Sequence, residues 1–122
     1  HLSSIWFSIF FIHKFSLIIW AVQVYRLVFN NFTTFNSDIS GWDVSNVTGM
    51  GSMFNNTTFN SGINDWDVSS VTNMTFMFFD SLAFNQDLTG WCVTNIVSEP
   101  SNFSTSSPLT PANKPVWGTC PS

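Results

Sequence analysis

Phe35-Asn36-Ser37-Asp38-Ile39-Ser40-Gly41-Trp42-Asp43-Val44-Ser45-Asn46-Val47-Thr48 decides the reading of this chain, because two near copies follow it. The second is Phe59-Asn60-Ser61-Gly62-Ile63-Asn64-Asp65-Trp66-Asp67-Val68-Ser69-Ser70-Val71-Thr72. The third is Phe84-Asn85-Gln86-Asp87-Leu88-Thr89-Gly90-Trp91-Cys92-Val93-Thr94-Asn95-Ile96. Tryptophan recurs at 42, 66 and 91, in steps of 24 and 25 residues. The unequal step falls between paired phenylalanines, Phe54 to Phe59 in one copy and Phe78 to Phe84 in the next. Self-similarity at this period marks a repeat architecture: one unit cannot bury its apolar face alone, and stacked neighbours close a common core.

Each copy reads as two parts. The Phe-Asn-x-Asp-Ile-x-x-Trp-Asp-Val part is short and apolar at Ile, Trp and Val, which predicts a strand. Val71, Met74, Met77 and Phe78 follow at i, i+3, i+6 and i+7, one face of a short helix, and Val47, Met50, Met53 and Phe54 repeat the pattern. A Ser or Thr just before this face can serve as an N-cap. The expected fold is therefore a β/α repeat solenoid with short parallel strands stacked about 4.8 Å apart and short helices. Like residues would then stand over like. Phe35, Phe59 and Phe84 form one ladder, Trp42, Trp66 and Trp91 a second, and Val44, Val68 and Val93 a third. Asn36, Asn60 and Asn85 form an amide ladder at a turn. These rows read as core packing rather than as an aromatic cage for a ligand.

Composition narrows the function. Of 122 residues only 8% are charged, while 17% are aromatic, with fourteen Phe and six Trp. An ordinary soluble domain carries about 25% charged residues. Three Lys and Arg against seven Asp and Glu give a net charge of −4, so the basic stripe that neutralises phosphates is missing and nucleic-acid binding is not expected. The richness in aromatics argues against disorder. No Gly-rich phosphate loop, H-E-x-x-H, G-x-S-x-G or C-x-x-C occurs, and His1 and His13 have no carboxylate near them in sequence. We therefore expect no enzyme, no catalytic or metal-binding residues and no cofactor. Asp43 and Asp67, or Asp38 and Asp87, stacked on different copies, could share a Ca²⁺. The favoured expectation is that each Asp caps a turn, since Gly62 and Cys92 break both ladders.

The consensus Phe-Asn-x-Asp-Ile-x-x-Trp-Asp-Val-Ser-x-Val-Thr-x-Met-x-x-Met-Phe resembles the BspA-like leucine-rich-repeat surface proteins, the DUF285 group. The tail from Trp91 through Pro100, and then Lys114 to Pro121, is similar to the C-terminal cap of the same group. The resemblance covers about residues 28–121. It implies a leucine-rich-repeat-like solenoid, secreted or displayed on the cell surface, used in adhesion or envelope structure and not in catalysis.

Cys92 and Cys120 are the two cysteines. Cys92 replaces the Asp of the Trp-Asp-Val motif where the repeat stops, and a tail rich in Ser, Thr, Pro and Asn separates it from Cys120. A disulfide would staple this tail over the end of the stack and contribute about 3–4 kcal/mol in the chain-entropy model. It would also place the protein outside the cytosol. Two free thiols in a cytosolic protein is the alternative. Asn31, Asn46, Asn55, Asn56, Asn73 and Asn102 each begin an N-x-[ST] sequon and are candidates for N-glycosylation in a secreted chain.

The expected organisation is a hydrophobic N-terminal arm over 1–16, repeats over 17–91 and a disulfide-stapled cap over 92–122. Within the repeats, 17–34 is a degenerate first coil, followed by 35–58, 59–83 and 84–91. Sliding Phe29 onto Phe78 puts Ile19 on Val68, Val22 on Val71, Tyr25 on Met74 and Val28 on Met77, all apolar on apolar. The arm carries Ile5, Trp6, Phe7, Ile9, Phe10, Phe11 and Ile12. Large apolar side chains left in water forfeit about 1.5–3 kcal/mol each relative to burial. His13 and Lys14 interrupt any membrane span, so membrane contact is the less favoured cover for this arm. Two covers remain open: a second copy of the chain, which repeated without closure gives a filament, and folding back as an N-terminal cap. The expectation carried forward is a non-enzymatic subunit of a glycosylated, homopolymeric surface fibre. The alternative is a monomeric or membrane-attached adhesin-like module.

Overall fold

The computed structural model describes residues 28–122. The copies do lie on one another, but through turns rather than strands and helices. Among the described residues the helical element is the 3₁₀ turn Pro111–Asn113, and the sheet pairing is one isolated parallel bridge, Gly49 to Asn73. This overturns the expected β/α solenoid with stacked strands and short helices.

The reason is visible in the backbone of 50–57 and 74–81, where helices were expected. Ser52 and Asn56 have φ of 57°, and Phe76 and Asp80 have φ of 60° and 56°. A right-handed helix needs an unbroken run of negative φ, and a left-handed residue every fourth position forbids it. The N–H groups are divided between two uses instead. Met50, Ser52, Phe54 and Asn56 donate to the carbonyls of Asn73, Thr75, Met77 and Phe79 in the next copy, each at 2.9 Å. Met53 and Asn55, lying between them, donate locally to Met50 and Ser52, each at 3.2 Å. Phe29 and Asn31 reach Met53 and Asn55 in the same way, and Phe76, Phe78 and Asp80 reach Ser101, Phe103 and Thr105. All these cross-copy bonds run in one direction along the stack.

The Phe-Asn-to-Val segments fail to become strands for a different reason. Their side chains take the bonds that a ladder would need. Asp38, Asp43, Asp67 and Asp87 accept the backbone N–H and the hydroxyl of the residue two positions on, Ser40, Ser45, Ser69 and Thr89. Between copies the donor meets an amide oxygen, not a carbonyl. Asn60 N–H donates to Asn36 Oδ1 at 2.8 Å and Asn85 N–H to Asn60 Oδ1 at 3.0 Å. Local bonds such as Trp42 N–H to the Ile39 carbonyl and Val47 N–H to the Val44 carbonyl bend the chain at each apolar residue.

One apolar core runs through the stack. Phe29, Phe54 and Phe78 form one file, and Phe35, Phe59 and Phe84 a second beside it; each of the six is 4% exposed or less. Rings pair across the files at 3.8, 4.2 and 4.0 Å (Phe29–Phe35, Phe54–Phe59, Phe78–Phe84) with interplanar angles of 8–11°. Along the files the spacing is 5.4–5.9 Å. The along-file spacings fall in the range of stacked aromatic pairs, about 4.5–7 Å, which add about 0.5–1.5 kcal/mol per pair beyond area burial. Trp42, Trp66, Trp91, Val44, Val68 and Val93 are buried as well. The tryptophans connect through hydrogen bonds: Trp66 Nε1–H donates to the Ile39 carbonyl and Trp91 Nε1–H to the Ile63 carbonyl. Met50, Met53, Met74 and Met77 share the remaining interior with Ile39, Val47, Ile63, Val71, Leu88 and Ile96. Two buried hydroxyls, Thr57 and Ser81, donate to the same Phe54 carbonyl at 2.9 and 2.5 Å.

Candidate functional site

The cap is a disguised further copy. Asn102 and Ser106 have φ of 53° and 63°, matching Ser52 and Asn56. Leu109 N–H donates to Ser107 Oγ as Phe59 N–H donates to Thr57 Oγ1. Thr110 N–H donates to Asn85 Oδ1 at 3.1 Å, continuing the amide row of Asn36 and Asn60. Asn113 Nδ2 then reaches Asn85 as Gln86 Nε2 reaches Asn60. Residues 52, 56, 57, 59 and 60 thus recur at a constant offset as 102, 106, 107, 109 and 110. Phe103 and Leu109 supply the buried side chains. The aromatic column ends here, because Phe103 meets Phe78 edge-on at 84° and Trp117 meets Phe103 at 85°.

Cys92 and Cys120 are joined in a disulfide. Around it, Leu88 and Val93 donate N–H to the carbonyls of Asn113 and Thr119, and Gly118 N–H donates to those of Val93 and Ile96. Gly118 has φ of 76°, and a Cβ there would sit 3.4 Å from the Val97 carbonyl oxygen, so the turn needs a glycine. Lys114 and Glu99 pair at 2.8 Å on the outside of the cap.

One difference between the cap and the other copies opens a cleft. The local turn ends at Val47, Val71 and Ile96. The first left-handed residue comes five positions later in two cases, at Ser52 and Phe76, and six in the cap, at Asn102. Val97, at the place that the exposed Thr48 and Thr72 take in the earlier copies, is 81% exposed. Between the earlier copies this level is closed by Thr72 N–H on the Thr48 carbonyl and Met50 N–H on the Asn73 carbonyl. Between 72–75 and the cap, no such rungs are made among the described residues, and a cleft of about 350 Å³ lies there. It is lined by the polar residues Thr72, Asn73, Thr75, Asn95, Ser98 and Ser101 together with Glu99, Pro100 and the exposed Val97, and Met74 and Ile96 are buried beneath it.

The sequons fall as follows. Asn46, Asn56, Asn73 and Asn102 are exposed, Asn31 is exposed with φ of 61°, and Asn55 is half-buried. Asn56 Nδ2 donates to Asn31 Oδ1, and Asn73 Oδ1 accepts both the N–H and the hydroxyl of Thr75. Asn102 Oδ1 accepts the Thr105 hydroxyl. The aspartates that could have shared a cation are each turned onto their own Ser or Thr, and among the described residues no group of three potential metal ligands comes together. The Ser45 hydroxyl, with the Ser45 N–H, lowers the Asp43 pKa, and Thr89 lowers that of Asp87 in the same way. Among the described residues no helix is long and apolar enough to cross a membrane. The arm residues Ile5, Trp6, Phe7, Phe10, Phe11 and Ile12, and the first-coil residues before 28, lie outside the described residues.

The model of the family described as "Mycoplasma protein of unknown function, DUF285" matches residues 18–115 of this chain. The chain belongs to the DUF285 family. The match runs through all three copies of the repeat and most of the cap of this DUF285 protein, ending between the disulfide partners. No curated protein matches it, and no solved structure does.

Proposed function

We propose that this DUF285 protein is a non-enzymatic structural protein of the cell surface: a subunit of a glycosylated, homopolymeric extracellular fibre. The Cys92–Cys120 disulfide carries the reading. It closes the last layer of the stack, and such a bond persists in oxidising compartments outside the cytosol. The sequence resemblance to BspA-like surface proteins supports the same location. In this reading Ile5, Trp6, Phe7, Phe10, Phe11 and Ile12 of the arm pack on a neighbouring subunit, and head-to-tail repetition builds the fibre. Glycans on exposed sequons such as Asn31, Asn56 and Asn102 offset the shortage of surface charge.

Electron microscopy of the purified full chain tests the assembly. Ordered filaments that disappear in a Trp6→Ser, Phe10→Ser variant support it, and dispersed particles at all concentrations refute it. Intact mass before and after enzymatic deglycosylation tests the glycans, and an unchanged mass removes them. A second reading, a monomeric or membrane-attached adhesin-like module, is favoured by the cleft between 72–75 and the cap.

A further inference from the structure

We propose that the cleft between residues 72–75 and 95–101 binds a neutral saccharide unit. The inference deepens the adhesin-like reading and holds whether the chain is monomeric or polymeric. Four observations select the ligand class. First, the lining is rich in hydroxyl and carboxamide residues. The Thr72 and Thr75 hydroxyls and the Asn95 side-chain amide N–H are held by Thr48, Asn73 and Ser69, while the Asn73 side-chain amide N–H, the Asn95 amide oxygen and the Ser98 and Ser101 hydroxyls stand ready to donate and accept. Dense, neutral, two-way hydrogen bonding matches a polyhydroxylated ring. Second, the single charged group in the lining is the Glu99 carboxylate, and Lys114 holds it at 2.8 Å. No cation is left to recognise a phosphate or carboxylate, and one engaged carboxylate does not hold a divalent metal.

Third, the opening is short. The cross-copy series is intact at Phe76 to Ser101, Phe78 to Phe103 and Asp80 to Thr105, and stops below Phe76. An extended peptide binding by strand addition needs a row of free rungs, whereas this gap admits a compact ligand. Its volume of about 350 Å³ lies at the small end of ligand sites, the size for one or two sugar rings. Fourth, Val97, 81% exposed, lines the cleft and offers an apolar surface against which the C–H face of a sugar ring can rest, with Met74 and Ile96 buried beneath. The cleft exists because of the extra residue between Ile96 and Asn102. Removing that residue restores the spacing of the earlier copies and closes the gap.

The test uses the full oxidised chain and amide-resolved NMR. Cellobiose, lactose and N,N′-diacetylchitobiose are the probes, with glucose 6-phosphate as the anionic comparison and an extended polar hexapeptide as the strand comparison. At least one neutral disaccharide is expected to shift the Met74, Thr75 and Ser98 backbone amides and the Asn73 and Asn95 side-chain amides. Saturation is expected at a Kd of about 1 mM, ordinary for a shallow polar site. Deleting Ser98 is expected to weaken binding at least tenfold while the thermal midpoint holds or rises. Asn95→Ala, an exposed change, serves if the deletion variant does not fold, with an expected weakening of about fivefold. Absence of shifts with all three sugars up to about 100 mM overturns the proposal. So does tighter binding of the phosphate ester or the peptide, or unchanged affinity in the Ser98 deletion.

Discussion

Replacing Phe54 by Leu tests whether the paired files of phenylalanine hold the stack together. Phe54 is fully buried and lies near-parallel to four rings, of which Phe59 at 4.2 Å, Phe78 at 5.4 Å and Phe29 at 5.5 Å are nearest and Phe35 is at 6.4 Å. Leucine keeps most of the apolar area but none of the ring contacts. Three lost pairs at the lower end of the aromatic range cost about 1.5–3 kcal/mol. The volume difference of about 20 Å³ adds about 0.5 kcal/mol if the site does not collapse. The expected loss is therefore about 2–3.5 kcal/mol. With a urea slope of about 1.2 kcal/mol/M for a chain of this size, the midpoint falls by about 2–3 M.

Urea unfolding of the oxidised protein, followed by tryptophan fluorescence, reads this shift. Phe79→Leu is the comparison. That ring is half-buried, tilted 56° on Phe76 and outside the files, so its loss should cost under about 1 kcal/mol. A double-mutant cycle with Phe59→Leu should return a coupling of about 0.5–1.5 kcal/mol. Equal costs at Phe54 and Phe79, or no coupling between Phe54 and Phe59, would refute the aromatic account of the fold.

Three further outcomes are expected. Reduction, or the paired change Cys92→Ser with Cys120→Ser, should cost about 3.5 kcal/mol for a sequence separation of 28, a fall of about 10–20 °C in thermal midpoint by calorimetry. Ser52→Gly should raise the urea midpoint by the equivalent of about 0.5–1 kcal/mol, because Ser52 sits at φ of 57° in the left-handed region that glycine adopts freely, while Ser52→Val should lower it. Asp43 and Asp87 have folded pKa values below the unfolded one, so their contribution is present above about pH 4 and lost as pH falls through the folded value. Acid titration of the unfolding midpoint should show this small loss below pH 4, and it should shrink in an Asp43→Asn, Asp87→Asn variant.

Which residues face inward was legible before any coordinates, and what backbone they ride on was not. The three-fold recurrence of Phe, Trp and Val positions identifies the buried rows, and the cysteine pair marks the staple. The spacing of Val71, Met74, Met77 and Phe78 fits a helical face equally well when it is carried by a ribbon with left-handed residues at Phe76 and Asp80. Side-chain periodicity reports a face, not a φ angle, and Phe76 is a residue type from which positive φ is not expected. The aspartates contain the other warning. Asp38, Asp43, Asp67 and Asp87 each stand two positions before a Ser or Thr, a local turn motif that competes with strand pairing. The cap was hidden by its own wear: of the interior positions, Phe103 and Leu109 alone stay large and apolar, and the extra residue shifts the match by one.

The series of cross-copy backbone donors at 50–56 and 76–80 points one way, against the single Thr72 N–H that reaches back to the Thr48 carbonyl, and gives the molecule a head and a tail. A layer can be inserted ahead of residue 100 and find carbonyls where its amides point, so duplication of a 24- or 25-residue unit lengthens the protein without redesign. Beyond Phe103 the rings stand crosswise and Trp117 turns the surface again, so a newcomer meets no parallel template. Repeats added on the near side of the cap extend the parallel ring files, and the crosswise rings close them.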